Sequence, residues 1–259
     1  MSPRIHPTAL IDPAAELADG VEVGPYCIVG PDVIIGEGTR LLSHVVLKGP
    51  MRMGRNNQVF QFSTLGEMCQ DKKYKGEPTR LEIGDDNVFR EACTVHRGTV
   101  QDEGLTRIGD RNLLMVNTHV AHDCRIGSDN ILANNVGLAG HVRIGNGAVL
   151  GGMVGVHQFV SIGSFAMAAG GAILFKDVPA YVMVGGNPAV ARGMNFEGMR
   201  RRGMSAEAIG ALRKAYKLVY RSALPLEQIM PELEQLGASL PEVALFCQSV
   251  QSSHRGLAR

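Results

Sequence analysis

Eight consecutive residues, Asn117-Thr118-His119-Val120-Ala121-His122-Asp123-Cys124, hold two imidazoles, a carboxylate and a thiol. Imidazole moves protons near neutral pH. A carboxylate beside it can orient the ring and stabilise its charged form. With His122 as general base and Asp123 as its partner, the stretch suits acyl transfer to a hydroxyl or amine. Two histidines three residues apart also suit a metal, so zinc held by His119, His122 and a further histidine is the rival reading. Nothing around Cys124 argues for an activated thiolate, and ordinary packing is expected of it.

The elements that must position these groups follow from a period of six. Ile5, Ile11, Leu17, Val23, Val29, Ile35, Leu41, Leu47, Met53, Val59 and Leu65 are all aliphatic or Met. The series resumes at Ile83, Phe89 and Val95, and again from Ile108 through Val120, Ile126 and Leu138 to Leu174. Such a hexapeptide period predicts a parallel β-helix, in which six residues make one short strand and a corner. Gly follows the apolar residue repeatedly, as at Gly24, Gly36 and Gly54, and is expected to serve corners that need positive φ. Three hexads close one coil, so residues eighteen apart stack about 4.8 Å from each other. Gly140 then lies over His122, with Gln158 one coil further on, and His141 lies over Asp123. His157 falls on the same face as Ala121. The bare backbone N–H of Gly140 is a candidate oxyanion donor.

The period breaks at charged stretches near 66–80 and 98–106, read as loops thrown out of the coil. If the second break is a seven-residue insertion, His96 lies beneath Ala121 and beside His122. The first loop, carrying Asp71 and Lys73, is expected to reach over this face. After Ala180 the hexads dissolve, and a helical pattern begins at Ser205, a plausible N-cap. Pro231 is expected to kink or break it, and Pro241 opens a last apolar run. The predicted organisation is an all-β parallel β-helix over 1–189 followed by a small α-helical domain over 190–259. Arg200, Arg201 and Arg202 stand just ahead of the helical pattern, where they suit phosphate or diphosphate.

Whole-chain properties exclude other classes. Lys+Arg 26 against Asp+Glu 25 in 259 residues gives no global field for nucleic acid. Five cysteines, an odd number without a CxxC pair, suggest reduced thiols and a cytoplasmic setting. The first residues lack a signal-peptide core, and no apolar run approaches the ~18 residues of a membrane span.

Several segments together resemble the bacterial UDP-N-acetylglucosamine O-acyltransferases over nearly the whole chain. They are Gly24-Pro25-Tyr26-Cys27-Ile28-Val29-Gly30-Pro31, Gly76-Glu77-Pro78-Thr79-Arg80, Val95-His96-Arg97-Gly98-Thr99, His119 to Cys124, Ile131-Leu132-Ala133-Asn134-Asn135, Val156-His157-Gln158-Phe159 and Ala215-Tyr216-Lys217-Leu218. The resemblance implies a left-handed coil, a homotrimer and transfer of an (R)-3-hydroxyacyl chain from acyl carrier protein to the sugar 3-hydroxyl of UDP-N-acetylglucosamine, the first step of lipid A biosynthesis. It implies His122 as base, Asp123 as orienting carboxylate and Gly140 as oxyanion donor. Gln70, Asp71, Lys73, His96, His141, His157 and Gln158 match substrate contacts, and Asn195, Glu197 and Arg201 match positions that hold the nucleotide. Gly170 matches the residue that measures the acyl chain, and a Gly there implies a longer chain. No metal or cofactor is implied beyond the phosphopantetheine arm on the carrier protein. That acidic protein needs a basic dock, for which Lys214, Lys217, Arg221 and the arginine run are candidates. The related N-acylating enzymes are expected to carry a domain ahead of the repeats, whereas here the repeats begin at Ile5.

Overall fold

The computed structural model describes residues 2–222 and 224–259. Its strands are mostly two residues long and fall into three sheets of eleven, nine and eight strands. Successive strands visit the three sheets in turn as far as Ile173–Leu174, the last two both join the first sheet, and all pairings but the last are parallel. The register is the predicted one: Ile5 opposes Val23, His119 opposes Gly137, and Gly137 opposes Gly155, each eighteen residues on. The two breaks lengthen the step without disturbing it. Leu65 pairs with Val95, and Val95 with Val120, so the second insertion is the expected seven residues.

The apolar hexad residues fill the interior. Ile35, Leu47, Leu65, Leu114, Leu132 and Leu150 are fully buried, whereas Ile5 at the open end is 47% exposed. Each such side chain contributes roughly 1.5–3 kcal/mol by leaving water. The interior also holds a polar ladder that periodicity did not reveal. Asn87 donates its backbone N–H and its amide to Asn57 Oδ1, at 2.9 and 3.0 Å; Asn112 does the same to Asn87, and Asn130 to Asn112. Each amide thereby satisfies the next coil's corner.

The repeated glycines have a different cause from the one expected. Gly24, Gly36 and Gly54 do not adopt positive φ. A Cβ on Gly36 would lie 2.5 Å from the carbonyl carbon of Gly54 in the next coil, so close backbone approach demands glycine there. Left-handed backbone is carried mainly by other residues, among them Asp32, Asn56, Asp123 and His141.

The first sheet does not end at 189. Val182–Gly185 is followed by Val190–Met194, which returns antiparallel on its edge. Strands also trim the loops to 68–79 and 97–104. Four helices follow: α1 (Phe196–Arg201), α2 (Ala206–Arg221), α3 (Leu226–Gly237) and α4 (Pro241–Gln251). Ser205 caps α2, accepting from the Ala208 N–H at 3.1 Å. α3 continues through Pro231; burial of Ile229 and Leu233 on one face outweighs a proline penalty of about 3 kcal/mol. The short α1 was not foreseen, because six residues offer too little periodicity. Past α4 the chain is clasped to the last coil by buried Asp177. Its Oδ1 accepts from Ser161 N–H at 2.7 Å, and its Oδ2 from Ser253 Oγ and the N–H groups of His254 and Arg255, each at 2.9 Å.

Candidate active site

His122 and Asp123 lie at the corner where the chain passes from the second sheet to the third. Both loops leave the coil at this same corner. His122 Nδ1 is 2.8 Å from Asp123 Oδ2. A carboxylate only accepts, so Nδ1 carries the proton and Nε2 is left as the basic nitrogen. Asp123 is 1% exposed. Its Oδ1 accepts from the Thr99 N–H at 2.8 Å and its Oδ2 from Thr99 Oγ1 at 2.6 Å. Its own N–H donates to Thr106 Oγ1 at 2.8 Å. Burial pushes this carboxyl upward, but the bonds from His122 and Thr99 outweigh it and hold the group below its ordinary value.

Gly140 sits over the ring of His122, as the period required. A Cβ there would meet Cε1 at 2.5 Å and Nε2 at 2.6 Å. The absent side chain therefore makes room for the imidazole itself. The Gly140 N–H donates to no group among the described residues and is free for an oxyanion. His141 stands beside this pair, its ring meeting that of His122 edge-on at 5.2 Å between centroids. Its Nε2 is 3.7 Å from Asp123 Oδ2 and its Nδ1 is 3.2 Å from Asp102 Oδ2.

His96 and His119 form a second tier, with ring centroids 4.9 Å apart. His119 Nδ1 bonds Thr94 Oγ1 at 2.7 Å, which suits a supporting role. Burial, with His119 adding to it, brings His96 down to about 4, and its buried Nδ1 has no partner among the described residues. The Cys124 thiol is fully buried and pushed up to about 12 by burial; it donates to the Ala139 carbonyl at 3.2 Å. That is packing, as expected.

The first loop comes close to the same edge. Burial raises the Cys69 thiol, and the carboxylates of Asp71 and Asp123 raise it further. Asp71 Oδ1 accepts from the Lys73 N–H at 2.9 Å, while Gln70 and Lys73 are exposed. His157 and Gln158 occupy the same corner higher up, both exposed, and His157 Nδ1 lies 3.3 Å from an Arg255 guanidinium nitrogen.

The remaining candidates do not join this cluster within one chain. Gly170 lies at the corner between the first and second sheets. Glu197 and Arg201 belong to α1 and Asn195 caps it; the helix packs at the third corner, where the Arg202 guanidinium lies 4.7 Å over the Phe165 ring. There Asn195 Oδ1 caps α1 by accepting from the Gly198 N–H at 2.9 Å. Glu197 pairs with Arg200 and Arg201, each at 3.2 Å. Three groups of predicted site residues thus occupy three different edges of one protomer.

Sequence reasoning missed Thr99, Asp102 and Thr106 as parts of the site. The available signal was the strand count, which sends the second insertion out at the His122 corner. The metal alternative changes its ligands. His122, Asp123 and His141 are the described residues whose ligand atoms come within 4.8 Å of one another, and His119 is not among them. Asp123 already accepts three hydrogen bonds, and His122 spends Nδ1 on it.

A three-sided coil of hexapeptides with an imidazole–carboxylate pair on one edge defines a hexapeptide-repeat transferase. Residues 14–49 and 105–140 match the bacterial transferase hexapeptide family, and residues 177–258 match the second domain of UDP-N-acetylglucosamine O-acyltransferase. The chain belongs to the UDP-N-acetylglucosamine O-acyltransferase family. It is 58% identical over 255 residues to the acyl-(acyl-carrier-protein)–UDP-N-acetylglucosamine O-acyltransferase of Stutzerimonas stutzeri, covering 98% of this chain and 99% of that one. The Psychrobacter protein of the same name is 59% identical over 257 residues, covering 99% of each chain. The solved UDP-N-acetylglucosamine O-acyltransferase of Moraxella catarrhalis superposes with a TM-score of 0.97 at 54% identity, over 98% of this chain and 99% of that one. The Arabidopsis UDP-N-acetylglucosamine acyltransferase gives 0.86 at 38% identity, over 98% and 100%. Among the described residues no helix is long and apolar enough to cross a membrane.

Proposed function

We propose that this chain transfers an (R)-3-hydroxyacyl group from acyl carrier protein to the 3-hydroxyl of UDP-N-acetylglucosamine, the first step of lipid A biosynthesis, with His122 as general base. The observation that carries the mechanism is the His122–Asp123 bond at 2.8 Å beside the free N–H of Gly140. Nε2 of His122 takes the proton of the sugar hydroxyl as its oxygen attacks the thioester carbonyl. Asp123 holds the ring and stabilises the imidazolium that forms. The Gly140 N–H receives the oxyanion. Collapse expels the thiolate of the phosphopantetheine arm, which takes from His122 the proton that came from the sugar hydroxyl.

The working form is a homotrimer of left-handed coils with sites shared between chains. Two observations support this. Outward positions are largely apolar or small along the second sheet and, after Arg4, Glu22, Arg40 and Gln58, along the first from Val88 on, as at Ile131, Val149, Ile28, Gly137 and Gly155, whereas the third sheet presents Glu82, Arg107, Arg125 and Arg143. Gly170 and the α1 residues lie at two edges of the protomer other than that of His122, so a site that uses all three groups is shared between chains. The coil and the C-terminal helices act as two domains, and the enzyme is cytoplasmic and needs no metal or cofactor of its own. Lys214, Lys217 and Arg221 are exposed on α2 at helical spacing for one side, and with the arginine run they dock the acidic carrier protein.

The test is transfer to UDP-N-acetylglucosamine from acyl carrier proteins of graded chain length. Transfer that rises toward longer chains supports the reading. No transfer from any of them, or equal transfer to a sugar lacking the 3-hydroxyl, overturns it.

A further inference from the structure

We propose that Asp102 is a positioning residue for acyl transfer, fixing the ring of His141 so that its Nε2 faces the His122–Asp123 pair. This rests on the reading of that edge as the active site. Asp102 belongs to the seven-residue insertion, and its Oδ2 lies 3.2 Å from His141 Nδ1. The plane of the His141 ring is set by other contacts. Phe159 stacks flat against it, 4.4 Å between centroids and 11° between planes, and His122 meets it edge-on at 88°. Its backbone is tied to the coil beneath through the His141 N–H and the His122 carbonyl at 3.0 Å.

Stacking alone leaves two rings related by a half turn about the Cβ–Cγ bond, which exchange nitrogens for carbons. Only one of them puts an N–H on Asp102, and a carboxylate accepts from N–H and not from a ring carbon. The chosen flip brings Nε2 to 3.7 Å from Asp123 Oδ2, into the space in front of His122. Arg125 does not capture Asp102. Its guanidinium is held by Glu103 at 2.7 Å and approaches Asp102 only to 3.7 Å. The insertion that supplies Thr99 to Asp123 therefore also supplies Asp102 to His141. One loop holds two imidazole–carboxylate pairs side by side.

The experiment compares Asp102→Ala, Asp102→Asn, His141→Ala and the double variant Asp102→Ala/His141→Ala by steady-state acyl transfer, with melting curves to confirm folding. D102A should lower kcat/KM about tenfold, the scale of one hydrogen bond to a charged group. D102N, whose amide oxygen still accepts from Nδ1–H, should recover most of that loss. In the H141A background, removing Asp102 should cost nothing further. Wild-type kinetics in D102A, or the same loss with and without His141, would overturn the proposal. Nitrogen-15 spectra of the His141 ring separate it from the functional reading. Full turnover in H141A would remove His141 from the reaction, but Asp102 positions the ring only if D102A changes its tautomer signals; unchanged signals overturn the positioning.

Discussion

The imidazole of His122 occupies the volume that a side chain at residue 140 would fill. A Cβ on Gly140 would lie 2.5 Å from Cε1 and 2.6 Å from Nε2. Gly140→Ala should therefore displace the ring while sparing the coil, since the nearest atoms belong to a side chain. A displacement of ~1 Å costs on the order of a hundredfold in rate. Rate assays beside melting curves check this: kcat should fall about that far, with Tm within a few degrees of wild type.

Thr99 makes two bonds to the carboxylate that holds His122. Thr99→Val keeps the backbone bond and removes the hydroxyl, at a cost of roughly 1.5–3 kcal/mol for a bond to a buried charge. The folded carboxyl lies below its ordinary 3.8, so it contributes stability that is complete above 3.8 and is lost as pH falls through the folded value. The variant should lose stability at neutral pH, and its acid transition should move to higher pH. Denaturant titrations between pH 2 and pH 7 would show both.

His96 has a linkage of the same sign, set at higher pH. Its folded value is about 4 against 6.5 in the unfolded chain, so between those values the unfolded state binds more protons. Stability falls as pH drops from 6.5 toward 4, by up to about 3 kcal/mol. His96→Gln should flatten that slope. Urea midpoints at pH 7 and pH 4.5 for both proteins measure the difference.

The period of six made the coil, its register and the place of Gly140 readable before any coordinates, because a strict repeat converts sequence separation into spatial separation. The size of the second insertion was readable for the same reason. What the inserted residues touch was not: Thr99 and Asp102 act across folded-back loops, where no period relates sequence to space. The glycine column was read correctly as a position and wrongly as a cause, since close approach and positive φ both select glycine. Asp177 was invisible for a similar reason, lying some seventy-five residues from the tail it clasps.

That clasp predicts a stability effect remote from the chemistry. Asp177→Ala would orphan the Ser161, His254 and Arg255 N–H groups at the coil end and lower stability by roughly 2–3 kcal/mol. Melting temperatures read the loss. The tail should also become more accessible to limited proteolysis.

Sharing of sites between chains gives a complementation test. His122→Ala and Arg201→Ala should each be impaired alone. Co-expressed in equal amounts and mixing at random within a closed homo-oligomer, they should recover about a quarter of the wild-type sites when His122 and Arg201 of one site come from different chains. Failure to recover activity in verified mixed trimers would place both residues in the same chain's site.

The central claim is that Nε2 of His122 removes the proton from the sugar hydroxyl. The most direct measurement is single-turnover acyl transfer by His122→Ala, with UDP-N-acetylglucosamine binding followed calorimetrically on the same preparation. The account predicts a rate lower by about 10²–10⁴-fold with the nucleotide sugar still bound at near wild-type affinity. Turnover within a fewfold of wild type would contradict it.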